Sequence, residues 1–306
     1  MAEPTALPSP VMIIGVSGFL GRHLAAYLAG RGVEIVGTTR FSDRDELPEG
    51  VSRLNTWNGR EESELAPLLK GIPAVVNFAG APLKTRPWTP AFRRRLRDSR
   101  IRSAAALMSA LSSRRKSVRV LQGSAVGVYG NTKNRWVDED SPSGRGFLAD
   151  LVVDWETAAW EMRPRQVSLA LLRTGVVLSE EGGFLKRLHS IQRLGINPLP
   201  GGGRQWVSWI HLEDYLAAVA FLLIDTEITG PVNLCAPFPQ RFAALTAMTS
   251  RGKIKRLPLH IPARPVRFAL GAAAEPLLEG QRARSKRLRD AGFRFAHPKL
   301  TAGIQF

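Results

Sequence analysis

Short apolar runs alternate with segments of helical periodicity along the first part of the chain. The apolar runs, which are typical of buried strands, lie at 11–15, 33–39, 74–80, 118–125 and 167–178. Between them, apolar residues recur every three or four positions, which predicts helices over 19–32, 89–111 and 148–162. Strands separated by helices form βαβ units, so we predict an α/β fold with a doubly wound parallel sheet.

The pattern becomes less regular after about residue 179. A Gly- and Pro-rich stretch, "GINPLPGGGRQW", precedes a helical pattern in "IHLEDYLAAVAFLL" and a short strand pattern in "PVNLCA". We therefore expect a nucleotide-binding domain over 11–230. The remaining residues, 231–306, are expected to form a smaller C-terminal region that contributes to the substrate cleft.

Glycines follow the first predicted strand and open the first predicted helix. "VMIIGVSGFLGRHL" places them at 15, 18 and 21. Such a turn lets the backbone approach a pyrophosphate, and the helix N-terminus supplies N–H donors and a positive dipole. We favour a dinucleotide site over an incidental turn, because the strand and helix that the motif requires are both predicted. The expected contacts are Gly15, Ser17, Gly18, Phe19, Leu20 and Gly21.

The end of the second strand indicates which dinucleotide would bind. Chains that bind NAD usually place an acidic residue there, whereas this strand ends "GTTR", with Thr39 followed by Arg40. A guanidinium can pair with a 2′-phosphate, so NADP(H) is preferred over NAD(H). The alternative is that Arg40 is a solvated loop residue.

Three further strand ends belong to the same predicted cleft, because ligands of doubly wound sheets lie beyond the carboxyl ends of the strands. "NFAG" places Phe78, Ala79 and Gly80 near an adenine ribose. Ser124 ends "VLQGS" and is expected beside the nicotinamide, and Arg173 closes the fifth strand at the same edge.

These motifs together resemble the extended short-chain dehydrogenase/reductase superfamily, in its NAD-dependent epimerase/dehydratase branch. "RLRDSRI", "GGGRQWVSWIH", "GPVNLCAP" and "EGQRARSKRLRDAGFRF" are similar to an atypical subgroup of SulA-like or YfcH-like epimerase-family proteins with a C-terminal domain of unknown function. The resemblance extends from Val11 to about Leu300. It implies a Rossmann fold, NADP(H) as the cofactor and a small-molecule substrate that the family does not specify.

The superfamily uses a Ser together with a Tyr–Lys pair spaced one helical turn apart, so that the ammonium lowers the pKa of the phenol. Ser124 matches the Ser, and Tyr129 and Lys133 have the required spacing. Gly130 and Asn131 between them indicate a turn, however, where residues four apart need not face each other. Three interpretations of Tyr129 stay open: a literal dyad with Lys133, a substrate or proton-transfer residue acting alone, and a structural residue.

The helix on which relatives carry the pair offers only apolar side chains at those positions. Its candidates are Phe147 or Leu148 for the Tyr and Leu151 or Val152 for the Lys, with the register set by Glu156. Standard Tyr-dependent hydride transfer is therefore in doubt. We name Ser124 and Tyr129 as the catalytic candidates.

Other candidate residues have two interpretations each. His211 is expected to cap or pack at a helix start rather than act as a base, while Arg204, Gln205 and Trp206 form either a substrate-facing loop or a plain turn. Asp98 and Arg100 are expected to pair along their helix. The five His are dispersed beside a single Cys, so no metal site is predicted.

Charge and composition narrow the function classes. The 43 Lys and Arg exceed the 26 acidic residues, giving a net charge of +17. Basic clusters lie at 92–102, 112–119 and 280–290, and we favour solvated faces over nucleic-acid binding, since no zinc, RNP or helix-turn-helix signature accompanies them. One Cys, an N-terminus unlike a signal peptide and the lack of a long apolar run predict a cytoplasmic protein that is not embedded in a membrane.

Two main functions remain at this point. The leading one is an NADP(H)-dependent oxidoreductase or epimerase acting on a small molecule. The alternative is a non-catalytic dinucleotide-binding sensor or regulator that has lost the Tyr–Lys pair, and nucleic-acid binding is a weaker third. Extended relatives often dimerise through helices that match 89–111 and 148–162, so the resemblance leaves a homodimer open.

Overall fold

The computed structural model describes residues 6–40, 47–83, 87–250, 256–301, 304 and 306. Its strands in chain order are β1 Val11–Ile14, β2 Ile35–Thr39, β3 Arg53–Thr56, β4 Ala74–Asn77, β5 Val118–Ala125, β6 Trp136–Val137, β7 Val167–Thr174, β8 Val176–Leu178, β9 Ile196–Pro200, β10 Trp206–Val207, β11 Trp209–His211, β12 Gly230–Leu234, β13 Gln240–Arg241, β14 Leu257–Ile261 and β15 Arg282–Ala283. Its α-helices are α1 Phe19–Ala29, α2 Glu62–Leu65, α3 Pro90–Leu111, α4 Phe147–Glu161, α5 Gly183–Gln192, α6 Leu212–Ile224, α7 Phe242–Met248, α8 Ala263–Leu270, α9 Glu275–Leu278 and α10 Lys286–Asp290.

The central sheet of the described residues has seven strands in the order β12-β7-β5-β4-β1-β2-β3. Every neighbouring pair in it is parallel. The connections reverse direction between β1 and β4, because the chain first adds β2 and β3 on one side of β1 and then returns to place β4 on the other. A reversal of this kind opens a crevice beyond the carboxyl ends of the two strands, where ligands of doubly wound sheets bind. The predicted fold class is confirmed.

Side chains of the central strands alternate between two cores. Val11 and Ile13 of β1 face a core that contains α1 and α6, whereas Met12 and Ile14 face a second core with α3 and α4. Buried aliphatic side chains stabilise the fold by about 1.5–3 kcal/mol each. This two-sided burial explains why the sequence shows continuous apolar runs rather than strict alternation.

The strand predictions are confirmed for β1, β2, β4 and β5, and two features differ. The predicted run 167–178 is divided into β7 and β8 at Gly175, whose N–H donates to the Leu234 carbonyl at 3.0 Å. The edge strand β3 was not predicted, since its sequence "RLNT" has no apolar run and its residues are half-buried or exposed.

The last third of the described chain packs beside the sheet through short strand pairs. β8 with β11, β9 with β14 and β6 with β15 are parallel, and β10 with β13 is antiparallel. Trp209, Leu185 and Leu245 lie in a separate core under this region. The predicted domain division after residue 230 falls inside β12 and stays a prediction. Within the described ranges, no helix is both long enough and apolar enough to cross a bilayer.

Candidate functional site

A cavity of about 770 Å³ opens beyond the carboxyl ends of β1, β2 and β4, at the point where the connections reverse. Eight of the residues predicted to bind a cofactor line it, namely Gly15, Ser17, Gly18, Thr39, Arg40, Phe78, Ala79 and Gly80. Phe19, Leu20, Gly21 and Arg173 were predicted with them but are not among the residues that line the cavity.

The glycine turn at the floor of this cavity requires glycine at two positions. Gly15 has a φ of +82°, in the left-handed region that other residues rarely adopt. A Cβ on Gly21 would lie 2.8 Å from the Cα of Val16, so the first turn of α1 can pack against the loop only without a side chain. Gly21 is therefore needed for α1 to pack against the turn, although it does not line the cavity itself.

The N-terminus of α1 is available to an anion. Gly18 precedes the helix, and within the described residues neither a side-chain cap nor an acidic residue occupies its first turn. Unpaired N–H groups and the helix dipole at such an end favour phosphate. The glycine turn, the crevice and this helix end together fit a dinucleotide.

Positive charge gathers at the end of the cavity bordered by β2 and β3. Arg40 follows β2, Arg60 follows β3, and Arg94 with Arg95 come from the first turns of α3. The Asn58 side-chain oxygen accepts hydrogen bonds from the backbone of Arg60 at 2.7 Å and of Glu61 at 3.2 Å, which shapes the loop after β3. The sequence interpretation missed this loop, because β3 carries no apolar run that would have placed it at the cleft.

Ser124 lies near the end of β5, as predicted, but its hydroxyl already donates a hydrogen bond within the protein. It is 5% exposed, and its Oγ donates to Oε1 of Glu156 at 2.5 Å. The same carboxylate accepts Nε and one terminal nitrogen of Arg173 at 2.9 and 2.8 Å. Because the only hydroxyl proton goes to Glu156, Ser124 can still accept a hydrogen bond but cannot donate a second one.

Tyr129 lies behind this group rather than in an open cleft. It is 1% exposed, its hydroxyl donates to Oδ1 of Asn233 at 2.8 Å, and Arg173 donates to the hydroxyl at 2.9 Å. Burial raises the pKa of Tyr129 to about 12, and the neighbouring Arg173 offsets only part of that rise. These contacts favour the structural interpretation of Tyr129, and its catalytic role stays a prediction.

Tyr129 and Lys133 do not share a helix. Tyr129 ends a single 3-10 turn, Val126–Tyr129, while Lys133 is exposed with a φ of +52°. The turn predicted from Gly130 and Asn131 is therefore present, and the geometry gives no support to a dyad.

The helix expected to carry the Tyr–Lys pair is α4, and it begins at Phe147. Leu151 and Val152 are buried apolar residues, and Glu156 faces Ser124 and Arg173 one turn further on. A Tyr–Lys pair is thus absent from this helix.

A second, smaller cavity of about 130 Å³ lies between α4 and the C-terminal region. Val126 and Gly127 after β5 line it together with Leu148, Gln205 and Trp206, so the "GGGRQW" segment does reach a cleft. Glu275 also lines it, and its two carboxylate oxygens accept the backbone N–H groups of Phe147 and Leu148, each at 3.1 Å. A side chain from the C-terminal region thereby caps the N-terminus of α4, a relationship that the sequence did not reveal.

His211 caps α6, as predicted, because its Nδ1 accepts the N–H of Glu213 at 3.2 Å. The carboxylate of Glu213 also lies 3.0 Å from Nε2 of His297, and the two imidazole rings are 3.9 Å apart. These three side chains are close enough to share a metal ion. A neutral imidazole that accepts at Nδ1 carries its proton on Nε2, so His211 would have to give up its capping bond to become a ligand.

The remaining predicted pair is wrong, because Asp98 pairs with Arg102 at 3.7 Å and Arg100 turns inward. Several residues of the basic clusters pair with acidic neighbours, including Arg97 with Asp154 and Arg284 with Asp138. The assignment of the basic clusters to solvated faces rather than to a nucleic-acid site stays a prediction.

The fold and the site are those of a dinucleotide-binding Rossmann protein of the extended short-chain dehydrogenase type. The features that define this class are the glycine-rich turn after β1, the N-terminus of α1 without a side-chain cap, and the cavity at the reversal of the sheet. The chain belongs to the NAD dependent epimerase/dehydratase family, whose model matches residues 11–235. A domain of unknown function, DUF1731, matches residues 261–305.

Similar proteins match nearly the whole chain. An epimerase family protein of Mycobacterium bovis is 40% identical over 298 residues, covering 97% of this chain and 96% of that protein. The chloroplastic SDR39U1 homolog of Arabidopsis thaliana is 31% identical, covering 94% of this chain and 83% of that protein. The crystal structure of human epimerase family protein SDR39U1 with NADPH has a TM-score of 0.82 at 28% identity, covering 96% of this chain and 97% of that one.

Proposed function

We propose that this protein binds NADP(H) and acts as an oxidoreductase or epimerase on a small molecule. The observation that carries the proposal is the cationic end of the main cavity, where Arg40 after β2 and Arg60 after β3 both line the wall. A 2′-phosphate there would meet guanidinium donors from two loops. The NADPH in the human SDR39U1 structure supports the same choice.

The glycine turn and the N-terminus of α1 would hold the pyrophosphate, and Phe78 to Gly80 would contact the adjoining ribose. A bound NADP(H) supplies a hydride donor or acceptor. Ser124 keeps its lone pairs for a substrate hydroxyl, because its own proton is directed to Glu156. This arrangement favours a substrate that presents an alcohol over one that presents only a carbonyl.

Calorimetric titration of the purified protein with NADPH and NADH tests the cofactor. We expect NADPH to bind at least about tenfold more tightly, since a charge-assisted pair contributes about 1.5–3 kcal/mol. Equal affinity for the two dinucleotides would refute NADP(H) selectivity.

Turnover is tested separately, with absorbance at 340 nm as the readout for net oxidation or reduction and NMR of the products as the readout for epimerisation, which leaves the cofactor unchanged overall. The protein would be incubated with NADP⁺ and a panel of small alcohols and nucleoside-diphosphate sugars, and with NADPH and the matching carbonyl compounds. Cofactor reduction or oxidation that is lost in Ser124→Ala supports the enzyme.

A dinucleotide sensor is the second candidate, and the apolar residues of α4 favour it. Leu148 and Val152 offer no proton-transfer group at the positions where relatives carry Tyr and Lys. NADPH binding without turnover across the whole panel would favour this candidate. In that case we expect NADPH and NADP⁺ to differ in affinity, because a sensor must distinguish the two redox states.

A further inference from the structure

Arg100 carries a positive charge that the described protein does not neutralise. It lies in the middle of α3, and one terminal nitrogen donates to the Leu96 carbonyl at 3.0 Å. Its guanidinium carbon stands 5.2 Å from the ring centroid of Trp155. Among the described residues no carboxylate forms an ion pair with it, and Asp98 on the same helix pairs with Arg102 instead.

Two other inward-facing arginines show how this chain normally satisfies such a group. Arg119 donates to two backbone carbonyls and the Ser168 hydroxyl, and Arg173 donates to Glu156 and Tyr129. A guanidinium has five N–H donors, and Arg100 uses one of them on a described acceptor. Burial lowers the pKa of Arg100 to about 10, with no opposing contribution from an acidic neighbour.

Arg100 lies next to residues that line the main cavity, although it is not itself one of them. A Cβ on Gly80 would lie 3.2 Å from its guanidinium carbon, and both Gly80 and the adjacent Ser99 line that cavity. The ring of Trp155 in turn packs on Gly123, the residue before Ser124. Arg100 is therefore beside the ends of β4 and β5, on the opposite side of the crevice from β2 and β3.

Arg100 is half-buried and has no counter-charge among the described residues, so its guanidinium can pair with an anionic ligand. The chemistry that fits is an oxygen-rich, anionic one, because a guanidinium only donates. Val152, one turn before Trp155 on α4, cannot supply a cation at this place.

We propose that Arg100 binds the nicotinamide-ribose half of the dinucleotide, donating to oxygens of that ribose and its phosphate. The inference rests on the proposed function, since it assigns one residue to the half of NADP(H) that Arg40 and Arg60 do not reach. Arg100 then provides at the reacting end of the cleft the positive charge that α4 lacks.

The test compares Arg100→Met and Arg100→Lys with Arg102→Met, a control on the exposed side of the same helix. Two probes are titrated by calorimetry: NADPH, and adenosine 2′,5′-bisphosphate, which lacks the nicotinamide nucleotide. Thermal unfolding midpoints are measured with and without each probe.

We expect Arg100→Met to weaken NADPH binding by about tenfold or more, the effect of losing a charge-assisted hydrogen bond. Binding of the bisphosphate should change less than about twofold, because it lacks the atoms that Arg100 would contact. Without ligand, the midpoint of Arg100→Met should equal or exceed that of the wild type, since an unpaired charge has been removed. The NADPH affinity of Arg100→Lys should lie between those of Arg100→Met and the wild type. The NADPH affinity of Arg102→Met should match that of the wild type.

Unchanged NADPH affinity in Arg100→Met would overturn the inference while leaving the proposed function intact. If both Arg100 variants lose binding of both probes and also have a lower unfolding midpoint, Arg100 has a structural role. That result would also overturn the inference. Failure of the wild-type protein to bind NADPH would instead refute the proposed function, and the inference with it.

Discussion

The Arg173 guanidinium donates two hydrogen bonds to the Glu156 carboxylate, at 2.9 and 2.8 Å, and both side chains are about nine-tenths buried. This pair joins α4 to β7 and leaves one lone-pair direction of Glu156 for the Ser124 hydroxyl. The position of Ser124 is therefore determined by an ion pair rather than by its strand alone.

Breaking that pair should cost much of the protein's stability. Glu156→Ala leaves a buried guanidinium without its counter-charge, and we expect the free energy of unfolding to fall by about 3–5 kcal/mol. Urea denaturation at neutral pH measures it. The double variant Glu156→Leu, Arg173→Met is the control, because it removes both charges and should recover a large part of the loss. Equal stability of the single and double variants would contradict this.

Gly21→Ala should destabilise the protein and weaken nucleotide binding together. The new methyl group would lie 2.8 Å from the Cα of Val16, so the glycine turn must move. We expect a loss of about 1–3 kcal/mol, measured by urea denaturation, and a parallel fall in NADPH affinity. Gly30→Ala at the end of the same helix is a matched control: its φ is −61° and its closest contact would be 3.4 Å, so stability should stay within about 1 kcal/mol of the wild type.

Arg60→Ala should reduce selectivity between the two dinucleotides. Removing one guanidinium from the adenosine end should weaken NADPH binding by about three- to tenfold and leave NADH binding nearly unchanged. Arg53→Ala, on exposed β3 outside the cavity, controls for net charge. A similar loss for NADPH and NADH in titrations of Arg60→Ala would place the 2′-phosphate elsewhere.

The raised pKa of Tyr129 predicts a stability loss at alkaline pH. The unfolded phenol ionises near its ordinary value of 10.0, whereas the buried phenol stays neutral until about pH 12. The stabilisation that Tyr129 contributes is thus complete below about pH 10 and declines between about 10 and 12, by at most about 1.4 kcal/mol per pH unit.

Tyr129→Phe provides the comparison for that effect. It should be less stable than the wild type at pH 8, since it loses the bonds to Asn233 and Arg173. The difference in free energy of unfolding between the two proteins should narrow as the pH rises past about 10. A difference that is constant or widens with pH would show that the Tyr129 phenol is not shifted in this direction.

Glu275→Ala should loosen the start of α4. The variant leaves the N–H groups of Phe147 and Leu148 without their acceptors, and we expect a loss of about 0.5–2 kcal/mol, as for other helix caps. Faster hydrogen exchange at these two amides would localise the effect. Glu275→Gln keeps one acceptor oxygen and should lose less, so equal exchange in the two variants would argue against capping.

Local patterns predicted much of the fold, because strands buried on both faces need continuous apolar runs. Those runs placed β1, β2, β4 and β5, and the glycine spacing placed the turn before α1. The edge strand β3 was not predicted, since a half-exposed edge strand can form from "RLNT" without an apolar run. The loop that brings Arg60 to the cavity was missed for the same reason.

The arrangement of the reacting end was less predictable. Ser124 was correctly placed near a strand end, but its bond to Glu156 joins residues 32 positions apart, and neither residue type specifies the other. Arg100 lies beside the ring of Trp155, which packs on Gly123, and helical periodicity does not predict these contacts. Side-chain partners that are distant in sequence are decided by tertiary packing.

The Glu275 cap has a consequence for the order in which the protein can be completed. During synthesis Phe147 is made 128 residues before the side chain that satisfies its N–H. A nascent chain can therefore assemble most of the parallel sheet while the start of α4 and the second cavity are still unfinished. A side chain made late in synthesis thus completes the second cavity, and a chain that stopped before Glu275 would keep the crevice beyond β1, β2 and β4 without a finished cavity beside it.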